Sequence, residues 1–231
     1  GNTPAHIASF NGHVDVVEFF ITQSDFRDEV NLKKETLLHR ACQNNDVAAE
    51  NRDRLVHLLL NNGFDVNAKN AYGEIPLSLT CGKGSESTSK ILIEANSELD
   101  VQSKSGERNT PLLLASWKNS AKTVQLLLER GANPNIRNAA GTLPLNHADF
   151  QIAKLLLESG SETDGVYIEK TLLHEACING DEKMVELLLS YGANPLLKNR
   201  EGITPMRITQ LEGFANLEKM LLEKITSEEK K

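Results

Sequence analysis

Thr171–Ile203 reads TLLHEACINGDEKMVELLLSYGANPLLKNREGI, and the fold follows from it. Thr171 followed by Leu172-Leu173-His174-Glu175-Ala176-Cys177 predicts a capped helix start. Gly180-Asp181 breaks that helix. A second helix follows, with Met184, Val185, Leu187, Leu188 and Leu189 on its apolar side. Gly192 ends it, and residues 194–202 read as a loop with a tight turn. At Thr204-Pro205 the same pattern begins again, 33 residues on.

Outward from that stretch, the whole chain of 231 residues is the same repeat. Copies start at Thr3, Thr36, Ile75, Thr110, Leu143, Thr171 and Thr204, with spacings of 33, 39, 35, 33, 28 and 33. Pro at the second position suits a first helical turn, where its missing N–H costs nothing. The second helices carry Leu-Leu-Leu at 58–60, 126–128, 155–157 and 187–189, with Phe19-Phe20-Ile21 and Ile91-Leu92-Ile93 as variants. Such helices are buried on most sides, and one helix pair cannot bury them alone. Stacked copies supply the core, so residues 1–231 read as one all-α solenoid of about seven helix-turn-helix repeats with turn or hairpin loops. The turn before Thr3 is missing, which predicts a piece of a longer array, or else Gly1 is a tag remnant.

Two irregularities carry expectations. Repeat two holds an insert of about six residues near Asp46–Arg52, which displaces its second helix to Arg54–Asn61. In repeat five, Pro144 stands 11 positions before Leu155, whereas in repeat four Pro111 stands 15 before Leu126. Four missing residues are about one helical turn. The first helix of repeat five should be stunted, leaving a seam near Asn146–Phe150. The last helix is expected over about Ala215–Ile225, with a polar, frayed tail from Thr226 to Lys231.

Composition narrows the function. A net charge of −7 argues against a bulk nucleic-acid binder. No apolar run approaches the ~18 residues of a membrane span, and no secretory segment precedes repeat one. Three cysteines without paired spacing point to a reducing compartment: cytosol, nucleus, or a host cytosol for a microbial protein. Cys42, Cys81 and Cys177 share one repeat position, filled by Ser9 and Ser116 elsewhere, so they read as buried packing thiols rather than zinc ligands. Gly82-Lys83-Gly84-Ser85 lacks the spacing and preceding strand of a phosphate loop. No catalytic set, metal site or cofactor fingerprint is visible, and a monomer is expected.

The pattern resembles the ankyrin repeat, whose known signature is a 33-residue period with a T-P-L-H-x-A start. Thr3-Pro4-Ala5-His6-Ile7-Ala8, Thr36-Leu37-Leu38-His39-Arg40-Ala41 and Thr171-Leu172-Leu173-His174-Glu175-Ala176 carry the resemblance. Asp65-Val66-Asn67-Ala68, Gly131-Ala132-Asn133-Pro134-Asn135 and Gly192-Ala193-Asn194-Pro195 match the family's G-A-D-V-N-A ending. Departures are Ser78 and Leu113 at the His position, Arg108 at the turn Gly, and the short repeat five. Within the repeat, His6, His39 and His174 are structural, bonding neighbouring turns.

The resemblance implies a non-catalytic module that binds a protein or peptide on a concave face of first helices and loop tips. Mapped position by position, the exposed slots are Phe10, Gln43, Asn44, Lys83, Trp117, Lys118, Ile178 and Asn179 on the helices, and Tyr72, Glu74, Asn138, Tyr167 and Arg200 on the tips. The expected anchor is Trp117, framed by Tyr72, Glu74 and Lys118, with the partner across repeats three to five. The rival is that Trp117 fills the repeat-five gap as a core aromatic. Lys69, Lys104, Arg137 and Lys198 recur at the loop edge and form either a strip for an acidic partner or ordinary exposed positions. Leu59, Asp65, Val66 and Asn67 match what asparaginyl hydroxylases favour in this family; otherwise Asn67 only bonds the loop backbone. Two other roles stay open: a substrate-targeting arm of a larger enzyme such as a ubiquitin ligase, and a structural spacer.

Overall fold

A computed structural model describes residues 1–23, 29–104, 106–167 and 170–228, with the backbone alone at 166, 167 and 228. Two compact units divide the chain, Gly1–Asn133 and Pro134–Lys231. The N-terminal unit holds four repeats. Their first helices are α1 (Pro4–Phe10), α3 (Leu37–Ala41), α5 (Pro76–Lys83) and α7 (Pro111–Trp117). Their second helices are α2 (Val14–Gln23), α4 (Ala49–Asn61), α6 (Glu86–Glu94) and α8 (Ala121–Glu129). First helices pack in one row and second helices in another.

The C-terminal unit holds the other three. A 3₁₀ turn (Pro144–His147) and α9 (Phe150–Glu158) form repeat five, followed by the two-stranded ribbon β1 (Val166–Tyr167) and β2 (Lys170–Thr171). Then come α10 (Leu172–Asn179), α11 (Glu182–Ser190), α12 (Pro205–Glu212) and α13 (Ala215–Glu228). The stunted first helix of repeat five is therefore a single turn, as its spacing predicts.

The caps explain why each helix starts where it does. Thr3, Thr36, Thr110, Thr171 and Thr204 stand in extended backbone and accept the amide three residues on. Between helices the chain reverses through a left-handed residue: Gly84 and Gly180 take φ of +73° and +67°. At the tips Lys34 and Arg108 adopt φ of +57° with full side chains, so the missing tip glycine of repeat three does not change the turn.

Burial follows the expected layers. The middle residue of five of the six apolar triplets, Leu59, Leu92, Leu127, Leu156 and Leu188, is wholly buried, and Phe20 of the first repeat is half-buried. Cys42, Cys81 and Cys177 are buried free thiols, and burial pushes Cys81 and Cys177 up to about 12. Among the described residues no helix is long and apolar enough to cross a membrane, and no cluster of three or more His, Cys, Asp or Glu is placed to hold a metal.

Two boundaries differ from expectation. The second helix of repeat two begins at Ala49, not Arg54, because half of the insert joins it. Arg52, inside the insert, is buried: its Nε donates to Thr88 Oγ1 at 2.9 Å and its Nη1 to Asn44 O at 3.2 Å. The last helix runs to Glu228, so Thr226 and Ser227 are helical and bond to carbonyls of the preceding turn.

Candidate protein-docking face

The histidines fix how neighbouring repeats sit within each unit. His39 Nδ1 accepts the Thr36 amide at 3.2 Å, and its Nε2 donates to Glu74 O at 3.1 Å in the next repeat. His174 does the same with Thr171 and Ile203, both at 3.1 Å. His6 pairs with the Thr3 hydroxyl and with Glu35 O at 2.9 Å. All three are wholly buried. Burial lowers His39 and His174 below the ordinary histidine value, although the carbonyl contacts pull the other way. His39 and His174 are thus neutral bridges, and none of the three rings has a nitrogen left for a ligand.

At the turns, an asparagine side chain replaces a backbone partner. Asn70 Oδ1 accepts the amides of Tyr72 and Glu74, and Asn138 Oδ1 those of Ala140 and Thr142. Glu74 is also spent on the turn, since its Oε2 accepts from Asn70 Nδ2 at 2.9 Å. Asn138 and Glu74 thus build the tips that were expected to contact a partner.

Next to the turns runs a ladder between repeats. Asn67 Oδ1 accepts the Glu98 amide at 2.7 Å, and Asp100 Oδ1 the Asn133 amide at 3.0 Å. In the other unit, Asn135 takes Glu162 at 2.8 Å and Asp164 takes Asn194 at 3.1 Å. The basic strip dissolves against this ladder. Lys69 pairs with Glu98 at 3.1 Å and Arg137 with Glu162 at 2.5 Å. Lys104 was assigned two residues off. Its amide donates to Tyr72 O, as the Ala71 amide does to Lys33 O, so Lys104 matches Ala71 and Gln102 matches Lys69. Two extra residues in that loop cause the shift.

The first helices of the N-terminal unit turn three positions outward: the fifth, eighth and ninth of each repeat. In the N-terminal unit these include Ile7 and Phe10, Arg40 and Gln43, Leu79 and Gly82, Leu114 and Trp117. Trp117 is 46% exposed and Ile7 51%. The Arg40 guanidinium lies 4.2 Å from the Phe10 ring centroid and donates to Gln43 Oε1 at 2.5 Å. Gln43 in turn donates to the buried carboxylate of Glu35. Burial would raise Glu35, but the Asn31 and Gln43 amides and the Arg40 and Lys33 charges outweigh it and hold it low. Phe10 and Gln43 are thereby joined in one cluster. Asn44 lies beyond the short α3 and accepts the Asp46 amide at 3.0 Å, within the insert.

Tyr72 is 43% exposed, yet it sits on the tip before α5, whereas Trp117 ends α7. A seven-residue helix is ~10 Å long. Tyr72 and Glu74 therefore do not frame Trp117; Lys83 and Lys118, both exposed at the same helix ends, do. Ile7, Leu79, Leu114 and Arg40 are the members that the sequence reading missed. Leu114 stands three residues before Trp117, so helical spacing alone would have found it.

In the C-terminal unit, Ile178 and Asn179 are exposed at the end of α10, and Arg200 is exposed on its turn. The side chain of Tyr167 lies outside the described residues. Where repeat five lacks its helical turn, a cleft of about 490 Å³ opens, lined by Asn146, His147, Ala148, Lys170, Leu172 and Glu175 among others.

Rows of paired helices, histidine bridges between them and tips at one end define a helical repeat protein. The chain belongs to the ankyrin-repeat family: the family model for ankyrin repeats in three copies matches residues 46–138 and 143–230, and the single-repeat model matches 1–34. Ankyrin repeats are protein-interaction modules, and the fold is generally non-catalytic. The human Ankyrin repeat and SOCS box protein 16 is 31% identical over 216 residues, spanning 88% of this chain and 46% of that protein. The putative E3 ubiquitin-protein ligase XBAT35 of Arabidopsis thaliana is 40% identical over 76 residues, 32% of this chain and 16% of that one. The chain thus spans less than half the length of these relatives. Among solved structures, the ankyrin repeat domain of Bcl-3 superposes with a TM-score of 0.73 at 27% identity, covering 94% of this chain and 98% of that one. The human ASB11 ankyrin repeat domain gives 0.76 at 24% identity, with coverage of 96% and 98%.

Proposed function

We propose that the N-terminal unit is a non-catalytic docking module that holds a peptide or folded protein against the outward positions of α1, α3, α5 and α7, with Trp117 as its anchor. One observation carries this reading: the chain's single tryptophan is 46% exposed at the end of α7, although the layer beneath it is closed by fully buried leucines. Exposed ring area of that size adds nothing to folding, and large amphipathic rings are what binding hot spots are made of. The module acts within a larger scaffold or adaptor. Affinity capture with wild type and W117A in parallel, read by mass spectrometry, tests it. A partner retained by wild type and lost by W117A supports the reading. An identical set of captured proteins removes Trp117 from the site, and no specific partner in either sample favours a spacer.

A second reading has an observation of its own. The names of two relatives carry a SOCS box and an E3 ubiquitin ligase. On that reading the chain is the substrate-recruiting arm of a ubiquitin-ligase assembly. It predicts that a protein captured through Trp117 is ubiquitinated in cells expressing the whole polypeptide and spared with W117A. Unchanged ubiquitination would exclude it.

A further inference from the structure

Gly82 is the penultimate residue of α5, at the repeat position that holds Phe10, Gln43, Trp117, Ile178 and Leu211 in other copies. Nothing in the fold asks for glycine there. Its backbone is not in the left-handed region, unlike that of Gly84 two residues on. A Cβ built on Gly82 would meet nothing nearer than the two Leu114 methyls at 3.8 Å, an ordinary contact. Glycine is also the poorest helix former after proline, so the chain loses helix stability at this position without a packing return.

The space left open is well placed. α5 packs along α7, with Gly82 level with Leu114 and Gly84 level with Lys118. Leu79 and Leu114, each one turn before the position in question, are half-buried and form the floor. Trp117 is one wall. Lys83 and Lys118 are exposed at the ends of the two helices, and neither has an ion-pair partner among the described residues. An apolar slot beside an indole, with two cations at its mouth, stands out in a chain of net charge −7.

We infer that Gly82 keeps open a slot beside Trp117 that receives one apolar side chain of an acidic peptide segment, whose carboxylates meet Lys83 and Lys118. Leu, Met or Phe matches the floor, and Asp or Glu next to it matches the lysines. This rests on the docking reading above and specifies the partner for the same face.

The test is to pan a displayed random-peptide library on the 231-residue chain, then measure one selected synthetic peptide against variants. Selected sequences should carry a Leu, Met or Phe flanked by Asp or Glu. The peptide should shift the emission of Trp117, the single tryptophan, to the blue. G82L fills the slot and should weaken binding about tenfold or more, as loss of a hot-spot contact does. G82A, which fits without a clash, should melt no lower than wild type. K83E with K118E should weaken the peptide in low salt more than in high salt. Binding to G82L as tight as to wild type, with W117A still defective, overturns the slot and leaves the docking face standing. Binding to both W117A and G82L as tight as to wild type removes both. Basic selected sequences, or none at all, overturn the acidic partner.

Discussion

Asn146 serves Leu143 as His174 serves Thr171. Its Oδ1 accepts the Leu143 amide at 2.9 Å and its Nδ2 donates to Gly165 O at 2.8 Å, replacing both ends of the histidine bridge in the repeat that has lost a helical turn. Gly165 approaches so closely that a Cβ on it would meet the Leu143 side chain. Asn146→Ala should cost about 1–3 kcal/mol, because it strands an amide and a carbonyl in a buried place. Urea unfolding of the variant reads this directly. Amide exchange should also be faster over 143–154 than over 171–190, since the short repeat has fewer layers above its backbone. Equal protection of the two segments would refute that.

The neutral histidines make stability pH-dependent in a defined direction. An unfolded histidine binds its proton near 6.5, whereas burial holds His39 and His174 lower. As pH falls below 6.5 the unfolded chain takes up protons that the folded chain refuses, so stability drops. It is fully present above that value. The urea midpoint should fall between about pH 7.5 and pH 5.5, before most carboxylates titrate. A flat midpoint across that window would mean the buried imidazoles are not the acid-sensitive groups.

Trp117→Ala separates docking from packing. At 46% exposure the ring covers little, so the expected loss of stability is within roughly 1 kcal/mol. Loss of a partner anchor costs about 2 kcal/mol or more in affinity. A core aromatic would show the reverse, with about 3–5 kcal/mol lost from folding. Thermal melting and titration of the captured partner, made on the same two proteins, decide between them.

Asn67 is proposed as a hydroxylation site. It is engaged on the ladder through Oδ1, while its Nδ2 contact to Asn96 O is long, at 3.4 Å. Co-expression with an asparaginyl hydroxylase should add one oxygen to the peptide containing Asn67. An unmodified peptide leaves it as a backbone-bonding residue alone.

Much of this fold was legible because each helix start is written in adjacent residues. Thr-Pro or Thr-Leu states the cap and the first turn together, and the Leu triplet states the layer that closes over it. The missing turn of repeat five was legible too, since it is a count between Pro144 and Leu155. Equivalences across loops were not. Lys104 falls in step when counted from the next repeat, and only the backbone bond from its amide to Tyr72 O shows otherwise. Nor could spacing show that half the insert of repeat two would be drawn into α4, because Arg52 finds its partner Thr88 in another repeat. The framing of Trp117 failed for a similar reason: tips and helix ends are near in sequence and a helix length apart in space.

The ladder has two kinds of rung, and they alternate. Asn67 and Asn135 each face a glutamate matched by a cation of their own repeat, Lys69 or Arg137. Asp100 and Asp164 each face an asparagine, and the cation's place is held by Gln102 or Val166. Charge therefore recurs over two repeats although the backbone recurs over one. Excising residues 75–109, within the N-terminal unit, would bring Asn67 and Lys69 against Asn133 and take Glu98 away from the lysine. For an engineer, the divisible length of this ladder is therefore a pair of repeats, not one.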